Sequence, residues 1–287
     1  MSTINGILNG LRVTSRGLVA TVQIHPLPDG IELRADATTY EWGEFVAAEE
    51  LMQQVVDALS IYYHVPHEIG INRKWFPLPA DTVNGSKPID LKKVGTAHDL
   101  LEASNTSRIL RSVLRVVQRA DQCENWSDRL LLLWMAFNTL YSTSNRSAER
   151  AKIEHYINDR HFALEEIKPW VDSWLETDGF EGLITSSLTL HKWNMSVIFI
   201  AEELSGAVES IVKLGEGYQD LMSKLLLTIY ALRNRFFYGE ERVDELELEK
   251  AIVMAARSLD FVVRASVQKN LGLAVTSADG KPISIAA

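Results

Sequence analysis

Between residues 107 and 269 the apolar positions recur every three or four residues and break off at short polar stretches. That period belongs to helices buried along one side, and it predicts helices over roughly 107–121, 126–142, 147–160, 163–177, 195–213, 218–238 and 244–269. Short connections between most of them favour an antiparallel bundle. The beginning of the chain reads differently. "GLVATVQIH" and "IELRADA" carry β-type residues on either side of "PLPDG", whose Pro and Asp-Gly content marks a turn, so a hairpin is expected there. Residues 44 to 63 return to helical spacing, and Pro66 limits that helix by disfavouring the α conformation at Val65. Residues 66 to 98 are rich in Pro, Gly, Asn and Asp and read as a linker, while "LAVTSADGKPISI" reads as a second hairpin around Asp279-Gly280 that could join the N-terminal strands. The expected fold is therefore mainly α. A small α+β module occupies 1–100, an antiparallel helical bundle 101–270, and a hairpin tail 271–287.

A chain of 287 residues can bury a substantial core, as one large domain or two ordinary ones. Its 46% hydrophobic and 23% charged residues fit a folded, water-soluble protein. The net charge of −9 argues against coating nucleic acid by bulk attraction, although a local basic patch can still act. Cys123 is the single cysteine, which excludes an internal disulfide framework and a multi-thiolate zinc site. Without a basic leader beside an apolar core, or a run of about 20 apolar residues, the expectation is a cytoplasmic protein with no membrane partner. No glycine-rich phosphate loop or dinucleotide fingerprint is present, so no cofactor is implied.

Three helices carry candidate chemistry. In "WSDRLLLLWMAFNTLYS", Leu130, Leu133, Trp134, Phe137 and Tyr141 form one stripe and most other positions are apolar too, so this helix is expected to be central and buried. Asn138 would then need a hydrogen-bond partner, either to tie two helices together or to orient an active-site group. In "SRILRSVLRVVQRA", spacings of three, four and four place Arg108, Arg111, Arg115 and Arg119 on one face, opposite Leu110, Val113, Leu114 and Val117. Arginine forks match phosphate oxygens in pairs, which makes this ridge a candidate RNA or phosphate contact, or a nucleotide site. The competing reading is a solvated face neutralised by glutamates from a neighbouring helix.

In "YQDLMSKLLLTIYALRNRFFYG" the apolar stripe runs through Tyr218, Met222, Leu225, Leu226, Ile229 and Phe236, and Arg233 sits inside it, four residues after Ile229. An arginine placed there must be paired or bound to an anion. On an ideal helix Asn234 points about 100° away from Arg233 and Tyr238 about 140° away. Arg233 and Tyr238 address one target only where the helix unwinds near Gly239, or where a symmetric dimer brings two copies together.

"LRNRFFYG" on the penultimate helix, with "LWMAFNTLY" upstream, resembles the HEPN superfamily (higher eukaryotes and prokaryotes nucleotide-binding) over about residues 105 to 270. Members often carry Arg-Asn, a few residues, then His-Gly on a late helix, and many are metal-independent ribonucleases acting at a dimer interface. The resemblance implies a homodimer that engages RNA, with a metal-independent endoribonuclease site made of Arg233, Asn234 and Tyr238, and with Arg235 and the ridge as phosphate contacts. Tyr238 stands at the histidine position, and a phenol titrating near 10 is a poor base at neutral pH compared with an imidazole near 6.5. The alternative is a non-catalytic interaction or dimerisation subunit of a prokaryotic defence or stress system, such as a toxin-antitoxin pair, with a protein partner.

The histidines do not fill that gap by spacing. His155, His161 and His191 read as surface or capping residues, and "HVPH" at His64 and His67 offers fewer ligands than zinc normally takes. The acidic run Glu240, Glu241, Asp244, Glu245, Glu247 and Glu249 suits a helix N-terminus but repels RNA unless nearby arginines or a basic partner neutralise it.

Overall fold

We describe the chain from a computed structural model covering residues 10–15, 18–27, 30–35, 50, 53–63, 74–76, 91–141, 148–160, 164–176, 180, 183–185, 195–238 and 245–273. Side chains are described for a subset: 50, 53–63, 92–141, 148–156, 167–175, 180, 183–185, 201–234 and 249–273. The fold is mainly α and divides into two compact units, Met1–Gln122 and Cys123–Ala287. The division falls after the arginine-bearing helix.

The first unit contains strands β1 (Gly10–Ser15), β2 (Leu18–Leu27), β3 (Gly30–Ala35) and β4 (Lys74–Phe76), paired antiparallel in the order β1-β2-β3-β4. The expected hairpin is β2–β3, with Leu27 opposite Gly30. β2 runs further than the turn signal suggested and includes Pro26. Among the described residues its partners on β1 stop at Gln23, and Pro26 lies beyond that pairing, opposite Ile31 of β3.

Helix α1 covers residues 53–60 and is followed by α2 (Leu91–Ala103) and α3 (Ser107–Asp121), which pack together. Helix α2 corrects the linker reading, because its first eight residues had been assigned to a segment without period. Val94, Ala97, His98 and Leu101 are buried at spacings of three, one and three, a helical stripe that Gly95 and the flanking polar residues obscure. On α3 the apolar face is as expected: Leu110, Val113, Leu114 and Val117 are fully buried or nearly so.

The second unit is built from α4 (Trp126–Tyr141), α5 (Glu149–Arg160), α6 (Leu164–Glu176), α7 (Met195–Leu214), α8 (Tyr218–Tyr238) and α9 (Glu245–Asn270). Its spine is the long pairing of α4 with α9. Ala251, Ala255, Ala256 and Ala265 are buried on α9, and short side chains of this kind allow two helices to approach closely. Trp170 of α6 stacks on Phe261 of α9 with ring centroids 4.4 Å apart. Helices α7 and α8 form a hairpin joined by Gly215 to Gly217, where φ of 69° and 91° at the two glycines supplies the turn that other residues resist. Helix α9 ends in a Schellman motif: Leu273 N–H donates to the Gln268 carbonyl and Gly272 N–H to Lys269, with Gly272 at φ 68°.

Helix α8 packs against α5, α6, α7 and α9, which makes it the element most surrounded by others in this unit. That position explains why its stripe from Leu221 to Leu232 is almost continuously buried. The expected second hairpin at 274–287 lies outside the described residues.

Candidate functional site

Arg233 enters from the last turns of α8, just beyond buried Ile229 and Leu232. Its side chain is 24% exposed, so it is neither sealed in the core nor free in water. Among the described residues, neighbours from three helices bear on the guanidinium. Nη1 donates to Asn234 Oδ1 at 2.8 Å, the Glu149 carboxylate of α5 lies 3.9 Å away, and the plane sits 5.5 Å from the centre of the Trp134 ring on α4. Asn234 therefore reaches Arg233 although the two positions diverge on the helix. A long guanidinium and a short amide can meet across adjacent residues.

The floor of the site is aromatic. Trp134 contacts Tyr230 at 5.9 Å, Phe137 at 5.7 Å and Tyr141 at 6.4 Å between centroids, and Phe137 contacts Tyr156. The rings at 134, 137 and 141 come from one face of α4, as the apolar stripe required. The Trp134 indole N–H is buried and, among the described residues, has no hydrogen-bond partner. Tyr141 is buried, and its hydroxyl donates to Glu149 Oε1 at 2.6 Å. Burial, then the hydrogen bond to Glu149, pushes the Tyr141 phenol far above its ordinary pKa, so it stays protonated and acts as a donor. Glu149 is 33% exposed, and among the described residues its second oxygen, Oε2, accepts no hydrogen bond.

The structure thus brings Arg233 and Asn234 together and adds Glu149, Tyr141 and Trp134, which sequence reasoning did not place in the site. Tyr141 and Trp134 were visible only as buried stripe positions. Glu149 looked like one of many acids at a helix start, and nothing local to it marks a partner 84 residues away. The side chains of Tyr238 and Arg235 lie outside the described residues, as do His64, His67, His161 and His191. His155 is half-buried on α5.

Asn138 differs from expectation. It is exposed, as is Met135 at 57%, because α4 buries the face carrying Leu130, Leu133, Trp134, Phe137 and Tyr141 and turns the opposite side outward. An exposed amide needs no protein partner, since water satisfies it.

The arginine ridge divides in two. Arg108, Arg115 and Arg119 are exposed on α3, whereas Arg111 turns inward, paired with Glu102 of α2 and 3.6 Å from Asp57 of α1. Asp57 is 0% exposed. Its Oδ1 accepts from Gln53 at 2.8 Å and Gln118 at 3.0 Å, and Gln118 also donates to Ser60 at 3.0 Å. Burial raises the Asp57 pKa, an effect that these hydrogen bonds and the charges of Arg111 and Arg115 oppose. Neutralisation by a neighbouring helix therefore applies to Arg111.

A further cationic feature lies in the second unit, where Arg129 and Arg257 stand 5.0 and 5.3 Å from the centre of the Trp126 ring. Burial, then the charge of Arg129, lowers the pKa of Arg257. Among the described residues no cluster of three or more His, Cys, Asp or Glu side chains could hold a metal ion, and no helix is long and apolar enough to cross a membrane. Compared with known proteins, the chain matches no family model, no curated protein and no solved structure.

Proposed function

We propose that this is a HEPN-like protein that engages RNA through Arg233, with Asn234 orienting the guanidinium and with Arg235 and Tyr238, further along the same sequence motif, as additional RNA contacts. The observation that carries the reading is the partly open setting of Arg233. The side chain is aimed by Asn234 and Trp134 and still keeps a quarter of its surface in solvent. An arginine in that state can place two N–H groups on one phosphate. Among the described residues the buried indole N–H of Trp134 lacks an acceptor, and a bound ligand at this place would supply one. Arg108, Arg115 and Arg119 supply a second, exposed basic surface suited to phosphates, and Arg111 is withdrawn from it.

In this reading the protein acts as a homodimer in the cytoplasm, and metal-independent endoribonuclease chemistry is its catalytic form. Incubation of the purified chain with mixed RNA in the presence of a chelator tests it. RNA binding that is lost in Arg233→Ala, with or without cleavage, supports the proposal; binding that survives the substitution sinks it.

One observation favours a second reading, that of a non-catalytic interaction subunit of a defence or stress system. The Glu149–Arg233 ion pair links α5 to α8, and with Tyr141 it also reaches α4. A clasp of that kind predicts that Arg233→Ala lowers the melting temperature or changes the oligomer without touching any RNA affinity.

A further inference from the structure

We infer that Glu149 is the general base of the Arg233 site, the role for which a tyrosine at position 238 is chemically ill suited. The inference rests on the RNA reading above and deepens it from binding to catalysis. Metal-independent cleavage of RNA needs three things near one phosphate: a base for the 2′-hydroxyl, a cation for the charge that grows on phosphorus oxygens, and fixed geometry between them. Glu149 and Arg233 supply the first two from separate helices, with Oε2 of the carboxylate 3.9 Å from the guanidinium.

The fixed geometry comes from Tyr141. Its hydroxyl donates to Oε1 of Glu149 at 2.6 Å, and burial keeps that phenol protonated, so the carboxylate is gripped by one oxygen while the other points toward Arg233. Oε2 accepts no hydrogen bond from the described residues, and a third of the Glu149 side chain is exposed, which leaves a basic oxygen open to an incoming hydroxyl. Arg233 is likewise held from the side by Asn234 at 2.8 Å and by the Trp134 ring. A carboxylate serving only as a structural partner of arginine would more commonly close to the hydrogen-bonding distance of about 2.8 Å and use both oxygens.

The step balances without a metal or an oxidant. A phosphate binds Arg233, and Glu149 takes the proton from the adjacent 2′-hydroxyl. The bond from the 2′-oxygen to phosphorus forms as the bond from phosphorus to the 5′-oxygen breaks, leaving a 2′,3′-cyclic phosphate. The departing 5′-oxygen takes a proton from water, and the hydroxide so produced removes the proton from Glu149. Tyr141 is a positioning residue in this scheme, since it touches the carboxylate and not the substrate.

The test uses the full-length chain, a labelled single-stranded RNA of mixed sequence, and a chelator. Glu149→Gln is the informative variant, because its amide oxygen can still accept the Tyr141 hydrogen bond while the side chain can no longer take a proton. The expected result is a fall in kcat on the order of 10²- to 10⁴-fold, with RNA affinity within about threefold of the parent or tighter. Tyr141→Phe is expected to lower kcat with KM unchanged, a split that a purely structural residue would not produce at temperatures where the variant is folded. Cleavage by Glu149→Gln at the parental rate overturns the inference, and so does a parent protein that binds the RNA and leaves it intact. A parent that binds no RNA overturns the functional reading itself, a separate failure.

Discussion

Arg111 and Arg233 occupy comparable places in the two units, each on the flank of a helix that buries an apolar face, and their carboxylate partners set them apart. Arg111 answers to Asp57, which no solvent reaches, and to Glu102, so its guanidinium completes a buried polar network with Gln53, Gln118 and Ser60. Arg233 answers to Glu149 at 3.9 Å, and the two side chains keep 24% and 33% of their surface exposed. A charge that must satisfy a buried partner is committed to the fold. One that shares a partly wet site keeps capacity for a ligand.

The largest expected difference follows from that contrast. Asp57→Ala strands the donors of Gln53, Gln118 and Arg111 inside the first unit, and the loss of stability is expected to be about 3 kcal/mol in a denaturant titration. Glu149→Ala leaves a partly exposed Arg233 to water and strands one neutral donor, the Tyr141 hydroxyl, and about 1.5 kcal/mol is expected. Equal losses from the two substitutions would erase the distinction.

A smaller effect concerns pH. Burial holds the folded-state pKa of Asp57 above its ordinary value of 3.8, so the folded chain keeps this proton to higher pH than the unfolded chain does. The corresponding stability is fully present below the unfolded pKa and is lost as pH rises through the raised folded value. The melting temperature of the parent should therefore fall relative to Asp57→Asn between acidic and neutral pH. A difference that stays constant over that window would contradict the assignment of desolvation as the dominant cause.

The helices were legible because their period depends on burial along one side, a constraint each segment states for itself. Helix α8 begins and ends where the spacing placed it, at residues 218 and 238. Helix α2 was hidden because Gly95 and Thr96 interrupt a short stripe, and Asn138 was misplaced because an all-apolar helix does not announce which of its faces is solvated. Arg233 stood out as a charge in an apolar row. Glu149, Tyr141 and Trp134 did not, since the partnership joins α4, α5 and α8 and no local spacing encodes a meeting between separate helices. The split in the ridge was hidden for the same reason, because Asp57 lies 54 positions from Arg111.

The smallest expected stability effect belongs to the outward part of that ridge. Arg108→Ala and Arg115→Ala alter exposed side chains and should each change stability by less than about 0.5 kcal/mol. If these arginines contact phosphates, the double variant reduces the salt dependence of RNA binding by roughly one unit of slope per lost contact. Arg111→Ala should do the reverse, lowering stability with little change in slope. A matching loss of slope for Arg111→Ala would place it back among the ligand contacts.

The central claim is that Arg233 is a ligand-binding cation and not a fastening for the bundle. RNA affinity of Arg233→Ala against the parent, measured well below both melting temperatures, tests it most directly. The account predicts at least about a tenfold loss of affinity, equivalent to roughly 1.4 kcal/mol, with both proteins folded. Unchanged affinity together with a lowered melting temperature would contradict it.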